Sequence, residues 1–108
     1  MRLIGGDVMA KSIVQGDRSH CYICGKNGRA DPLDCHHVFF GTANRSKSEK
    51  YGLKVYLCHS ACHIFGENAV HRNAKICREL QAKAQKIAME HYGWSAEDFI
   101  AIFGRNYI

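Results

Sequence analysis

The sequence contains no apolar run approaching the ~20 residues of a helical membrane span. Its N-terminus also lacks a signal-peptide hydrophobic region, so the chain reads as intracellular, with a cytoplasmic location expected and no membrane association. Internal repeats and low-complexity tracts are absent, which excludes solenoids and linker-like chains. Proline is scarce: Pro32 is the only one. Acidic residues are the minority, with Asp+Glu at 10 against Lys+Arg at 15, a net charge of +5 and a pI near 9.0. That balance suits a polyanionic partner, although basic charge alone identifies none. At 108 residues the chain is long enough for one domain with a modest core. The expected division is an N-terminal extension over 1–10, disordered or upstream of an internal start at Met9, and a domain over 11–108; no function is assigned to residues 1–8.

Cysteine is the plentiful residue. Six occur, at 21, 24, 35, 58, 62 and 77. An intracellular chain keeps thiols reduced, so close pairs are better explained by zinc than by disulfides. Cys21 and Cys24 form C-x2-C, and Cys58 and Cys62 form C-x3-C. Four thiolates on one zinc would tie the N-terminal knuckle to the end of a later strand. The alternative is a set in which His59 or His63 replaces Cys58 or Cys62. Cys35 and Cys77 are read as ordinary residues, Cys77 as part of a helix core.

The coarse pattern is strand, loop, strand, helix. "HHVFF" (36–40) and "LKVYLC" (53–58) read as strands, and "GTANRSKSEKYG" (41–52) between them as a polar loop. A helix is predicted from about Asn73 to Tyr92, with a stripe of Ile76, Cys77, Leu80, Ala84, Ile87 and Ala88, an exposed Glu79–Lys83 pair and Gly93 as terminator. Ser95 and Asp98 cap a last short helix that ends at Gly104. The fold class is α+β: a ββα unit pinned by metal and extended by C-terminal helices.

A structural zinc has no need of His36, His37, His63 and His71. Neutral imidazole binds divalent metals, and its pKa suits a general base near neutral pH. Phosphodiester hydrolysis needs a base for water and a cation for charge on the phosphate and leaving oxygen. Successive strand residues point to opposite faces, so of His36 and His37 one coordinates metal while the other handles the water. The bland alternative is that one of them merely packs or hydrogen-bonds.

Taken together, "CYIC … DCHHVFF … YLCHSACH … AVH" resembles the HNH nucleases of the His-Me finger (ββα-metal) group. More narrowly, "HHVFFGTANR", "YGLKVYLC", "AVHRN" and "FGRNYI" are similar to small phage and prophage HNH-like proteins related to recombination-enhancement nucleases. The resemblance runs from Lys11 to Ile108. It implies a metal-dependent DNA endonuclease with His36 and His63 as ligands of a catalytic magnesium or manganese ion and His37 as general base. It also implies structural zinc on Cys21, Cys24, Cys58 and Cys62, and a recombination protein as a possible partner. His71 enters as a further ligand or as a phosphate contact at the helix N-terminus. The sequence departs from the family at the middle Asn that holds the base histidine: that neighbourhood reads Tyr51-Gly52-Leu53, and Asn44 lies earlier.

Arg45, Lys47, Lys50, Lys54 and Arg72 are the expected phosphate contacts, against the alternative of a solvated polar loop. No segment resembles a base-reading helix, so weak sequence preference or recognition of DNA structure is expected. The rival to a nuclease is a zinc-stabilised DNA-binding accessory module that has lost catalysis.

Overall fold

The computed structural model describes residues 11–108; the expectations for the 1–10 extension lie outside the described residues. Two strands, β1 (Leu33–His37) and β2 (Lys54–Cys58), pair antiparallel with His36 opposite Val55 and His37 opposite Lys54. Helix α1 (Thr42–Tyr51) joins them. A single π-type turn (His59–Ile64) follows β2, then α2 (Ala74–Tyr92) and α3 (Ala96–Phe103). The result is a small α+β fold with a two-stranded sheet. Among the described residues no helix is long and apolar enough to cross a membrane.

The first strand starts three residues earlier than the apolar pattern predicts, so both histidines sit at its C-terminal end. Val38 still donates its N–H to the Leu53 carbonyl at 2.9 Å, but Phe39 turns into the core. There its ring meets Phe99, Phe103 and Tyr107 at centroid distances of 5.2, 4.9 and 4.7 Å. Burying Phe39 contributes about 2–3 kcal/mol and anchors the chain immediately after the paired histidines.

Residues 42–51 are a helix, not the expected polar loop. No apolar stripe betrays α1, because polar groups dock it. The buried Ser48 hydroxyl accepts from the Phe39 N–H at 3.1 Å and donates to the Phe39 carbonyl at 2.7 Å. Asn44 and Lys47 donate to the carbonyls of Phe103 and Ile102, satisfying acceptors at the end of α3. Gly52 ends α1 at φ 72°, and a side chain there would collide with the backbone at Lys11.

The long helix follows its signals. The Asn73 side chain accepts from the N–H groups of Lys75 and Ile76, and Gly93 closes the helix in the left-handed region. Leu80, Ala84 and Ala88 are buried as expected, while Ile76, Cys77 and Ile87 are half-buried. Gln85, outside the predicted stripe, is fully buried and holds the C-terminal segment through Asn106 Oδ1 and the Tyr107 N–H. Glu79 and Lys83 are exposed, with the Lys83 ammonium 5.3 Å from the Tyr22 ring centre. Ser95 and Asp98 form the expected capping box.

Candidate functional site

Thiols and imidazoles gather in separate clusters. Cys21, Cys24, Cys58 and Cys62 gather with their sulfurs within 4.8 Å of one another. Cys24 Sγ lies 3.5 Å from Cys58 Sγ, close to the roughly 3.8 Å edge of a zinc–sulfur tetrahedron. Although burial opposes it, backbone N–H donors at Cys24, Cys58 and Ile23 bring the Cys21 thiol down to about 6. Burial and the crowding thiols push Cys58 up to about 12 and raise Cys62 as well. Four sulfurs this close ionise together only around a cation, so the cluster can hold a metal such as zinc. The alternative with a histidine in the set falls away, because His59 and His63 turn elsewhere.

Strand alternation then sorts the next four residues. Asp34 and His36 face one side of β1, and Cys35 and His37 the other. His36 is 3% exposed, and its Nε2 has no hydrogen-bond partner among the described residues. Burial, reinforced by His63, His71 and His37, pulls its pKa from 6.5 to about 3, so the ring is a neutral base.

His63 comes from the π-type turn. Asp31 pins that turn by accepting the N–H groups of Ser60 and Ala61 at 2.8 and 2.9 Å. His71 comes from the segment before α2, folded back by the His71 N–H to His63 carbonyl bond at 3.1 Å. The Nε2 atoms of His63 and His71 lie 3.1 Å apart, and one nitrogen from each of His36, His63 and His71 falls within 4.8 Å of the others.

Asp34 fixes the His63 tautomer. Burial works to raise its carboxyl, but the bonds from His63 and His59 prevail and hold it below the ordinary carboxylate value. The ionised Asp34 therefore accepts from His63 Nδ1–H at 2.8 Å, leaving His63 Nε2 free to coordinate. A carboxylate behind a ligating imidazole is the usual support of a metal-bound histidine. A buried orphan nitrogen beside two imidazoles, one so supported, fits a divalent metal.

His37 stands apart from this trio. Its Nε2 lies 2.8 Å from Glu49 Oε1, and Glu49 Oε2 accepts from Lys54 Nζ at 2.7 Å. Burial would raise the Glu49 carboxyl, but Lys54 and His37 outweigh it and hold it below its ordinary value. An ionised carboxylate only accepts, so Nε2 carries a proton, and in the neutral ring the lone pair falls on Nδ1. A cleft of about 510 Å³ is bordered by His36, His37, His63, His71 and Arg45. The two kinds of imidazole thus share one solvent-open space, distinct from the thiolate cluster.

The basic residues divide. Arg45 is exposed at the cleft, and Lys50 is exposed beside the Tyr51 ring. Arg72 is exposed and bonds the Phe65 carbonyl at 2.8 Å. One expected phosphate contact, Lys54, is corrected, and another, Lys47, is engaged within the fold. Lys54 is 1% exposed and spends its charge on Glu49, and Lys47 is held at 2.6 Å by the Ile102 carbonyl. Of the α2 amides expected beside His71, those of Lys75 and Ile76 are taken by Asn73.

Sequence reasoning missed Asp31, Asp34 and Glu49. Asp34 carried a signal, since it stands two residues before His36 on one strand. Glu49 carried none while its segment was read as a loop. Comparison with family models, curated proteins and solved structures finds no match to this chain.

Proposed function

We propose that the chain is a metal-dependent DNA endonuclease of HNH type on a zinc-stabilised ββα-metal domain, acting with low sequence preference in phage or prophage DNA recombination or processing. The observation that carries this reading is one cleft shared by three convergent imidazoles and a separate, carboxylate-oriented histidine. His36, His63 and His71 would hold the divalent ion. An all-imidazole donor set suits zinc or another nitrogen-binding transition metal better than magnesium or manganese, which prefer oxygen. When bound, the ion supplies Lewis-acid stabilisation of charge on the scissile phosphate and the leaving 3′ oxygen.

His37 Nδ1 takes the proton from the attacking water. Glu49 keeps that lone pair pointed into the cleft and stabilises the imidazolium as it forms, the task that the absent middle Asn leaves open. Lys54 holds the second carboxylate oxygen and so fixes Glu49. Arg45, Lys50 and Arg72 would contact phosphates in a salt-sensitive, sequence-independent way.

Nicking of supercoiled plasmid tests the reading, with manganese, magnesium or zinc added and His37→Ala run beside the parent. Cleavage by the parent alone, at equal zinc content, is the expected result. Salt-sensitive DNA binding with no cleavage under any metal would replace it with the inactive accessory module.

A further inference from the structure

Asp34-Cys35-His36-His37 places a metal-ligand side chain at every position, and the strand deals them alternately to its two faces. Asp34 and His36 serve the imidazole trio. On the opposite face Cys35 and His37 stand two residues apart, and Glu49 of α1 closes on them. One ligand atom from each of Cys35, His37 and Glu49 lies within 4.8 Å of the others. His37 Nε2 and Glu49 Oε1 are 2.8 Å apart, so an ion at ~2.0–2.2 Å from each would need them to part by only about half an ångström. Cys35 is exposed as a residue and borders the cleft, which opens the site to solvent.

We propose that Cys35, His37 and Glu49 form an additional site for a thiophilic divalent cation such as zinc, separate from the thiolate cluster and the imidazole trio. One sulfur, one imidazole nitrogen and one carboxylate oxygen are donors that borderline-soft ions accept and magnesium does not. Three protein ligands leave the fourth tetrahedral position open toward the cleft. Lys54 keeps its bond to Glu49 Oε2 and leaves Oε1 to the ion, while its positive charge holds the affinity below that of a closed structural site. With an ion on its imidazole, His37 no longer takes a proton from water, so occupancy shuts off cleavage. That consequence rests on the nuclease reading; the binding does not.

The test is zinc loading of the full chain without DNA, read as ions per chain by native mass spectrometry, with iodoacetamide alkylation mapped to Cys35. Wild type is expected to bind one zinc ion more than Cys35→Ser, a conservative change at an exposed position. Zinc should slow alkylation of wild-type Cys35 by about tenfold or more, and His37→Ala should weaken the additional ion by about 10–100-fold. Equal stoichiometry in wild type and Cys35→Ser, or Cys35 alkylated at its metal-free rate in excess zinc, overturns the site. Plasmid nicking separates the two ideas. Inhibition by excess zinc in wild type but not in Cys35→Ser supports the consequence for cleavage. Zinc-dependent protection of Cys35 in a protein that nicks nothing under any metal keeps this site and refutes the nuclease reading.

Discussion

Lys54 is 1% exposed, and its charge is answered by Glu49 at 2.7 Å. The perturbation that tests this pair is a double-mutant cycle of Glu49→Gln, Lys54→Met and the two combined. At that separation and an effective dielectric of about 20, the attraction is roughly 6 kcal/mol. The Glu49 side chain is 28% exposed, so screening and desolvation reduce the observable coupling to about 2 kcal/mol. Glu49→Gln alone should cost about 3 kcal/mol, because it strands a buried ammonium. Adding Lys54→Met should recover most of that loss, since the pair is then neutral. Urea unfolding of the zinc-loaded proteins, followed by Trp94 fluorescence, reads the four stabilities. Additivity within about 0.5 kcal/mol would refute the pair as a structural unit. Cleavage should separate from stability: the double variant regains its fold yet stays about 10²-fold slow, because an amide stabilises the His37 imidazolium poorly.

Burial of neutral His36 predicts a pH dependence with a definite sign. Its folded pKa of about 3 lies below the ordinary 6.5, so the unfolded chain binds the extra proton first as pH falls. With zinc on the thiolates and no metal on the imidazole trio, this contribution is intact above pH 6.5. It should lose about 2 kcal/mol by pH 5, with the His36 ring still neutral by NMR at that pH. A ring that titrates near 6.5 without loss of stability would contradict the burial. Stripping zinc with a chelator should abolish cooperative thermal unfolding, because the thiolate cluster joins the knuckle to the end of β2; an unchanged Tm would remove the cluster's structural role. Arg45→Ala should lower the salt slope of DNA binding by about 1, whereas Lys47→Met should leave that slope alone and destabilise the fold by about 1 kcal/mol through the lost α3 contact. Filter binding over a salt series, with urea unfolding of both variants, checks the contrast.

The sequence alone determined what depends on near neighbours. Asn73, Gly93 and the Ser95–Asp98 box mark helix ends because capping is a matter of a few consecutive residues. The spacing of Cys21, Cys24, Cys58 and Cys62 announced two ligand pairs for one metal, while the structure decided that all four sulfurs, and no histidine, make up the cluster. Alternation along a strand already required His36 and His37 to part. Only the tertiary structure decided what depends on residues brought together from a distance. Helix α1 is docked by Ser48, Asn44 and Lys47 through polar contacts to Phe39 and α3, which no periodicity along the chain can record. With that helix came Glu49, set against His37 and Lys54, which turned one expected phosphate contact into a buried partner of Glu49. His71 joined His36 and His63 for the same reason. The backbone bonds that bring Val70 and His71 onto the π-type turn, to the carbonyls of Cys62 and His63, each span eight residues, and a sequence read in order shows the residues but not the bond.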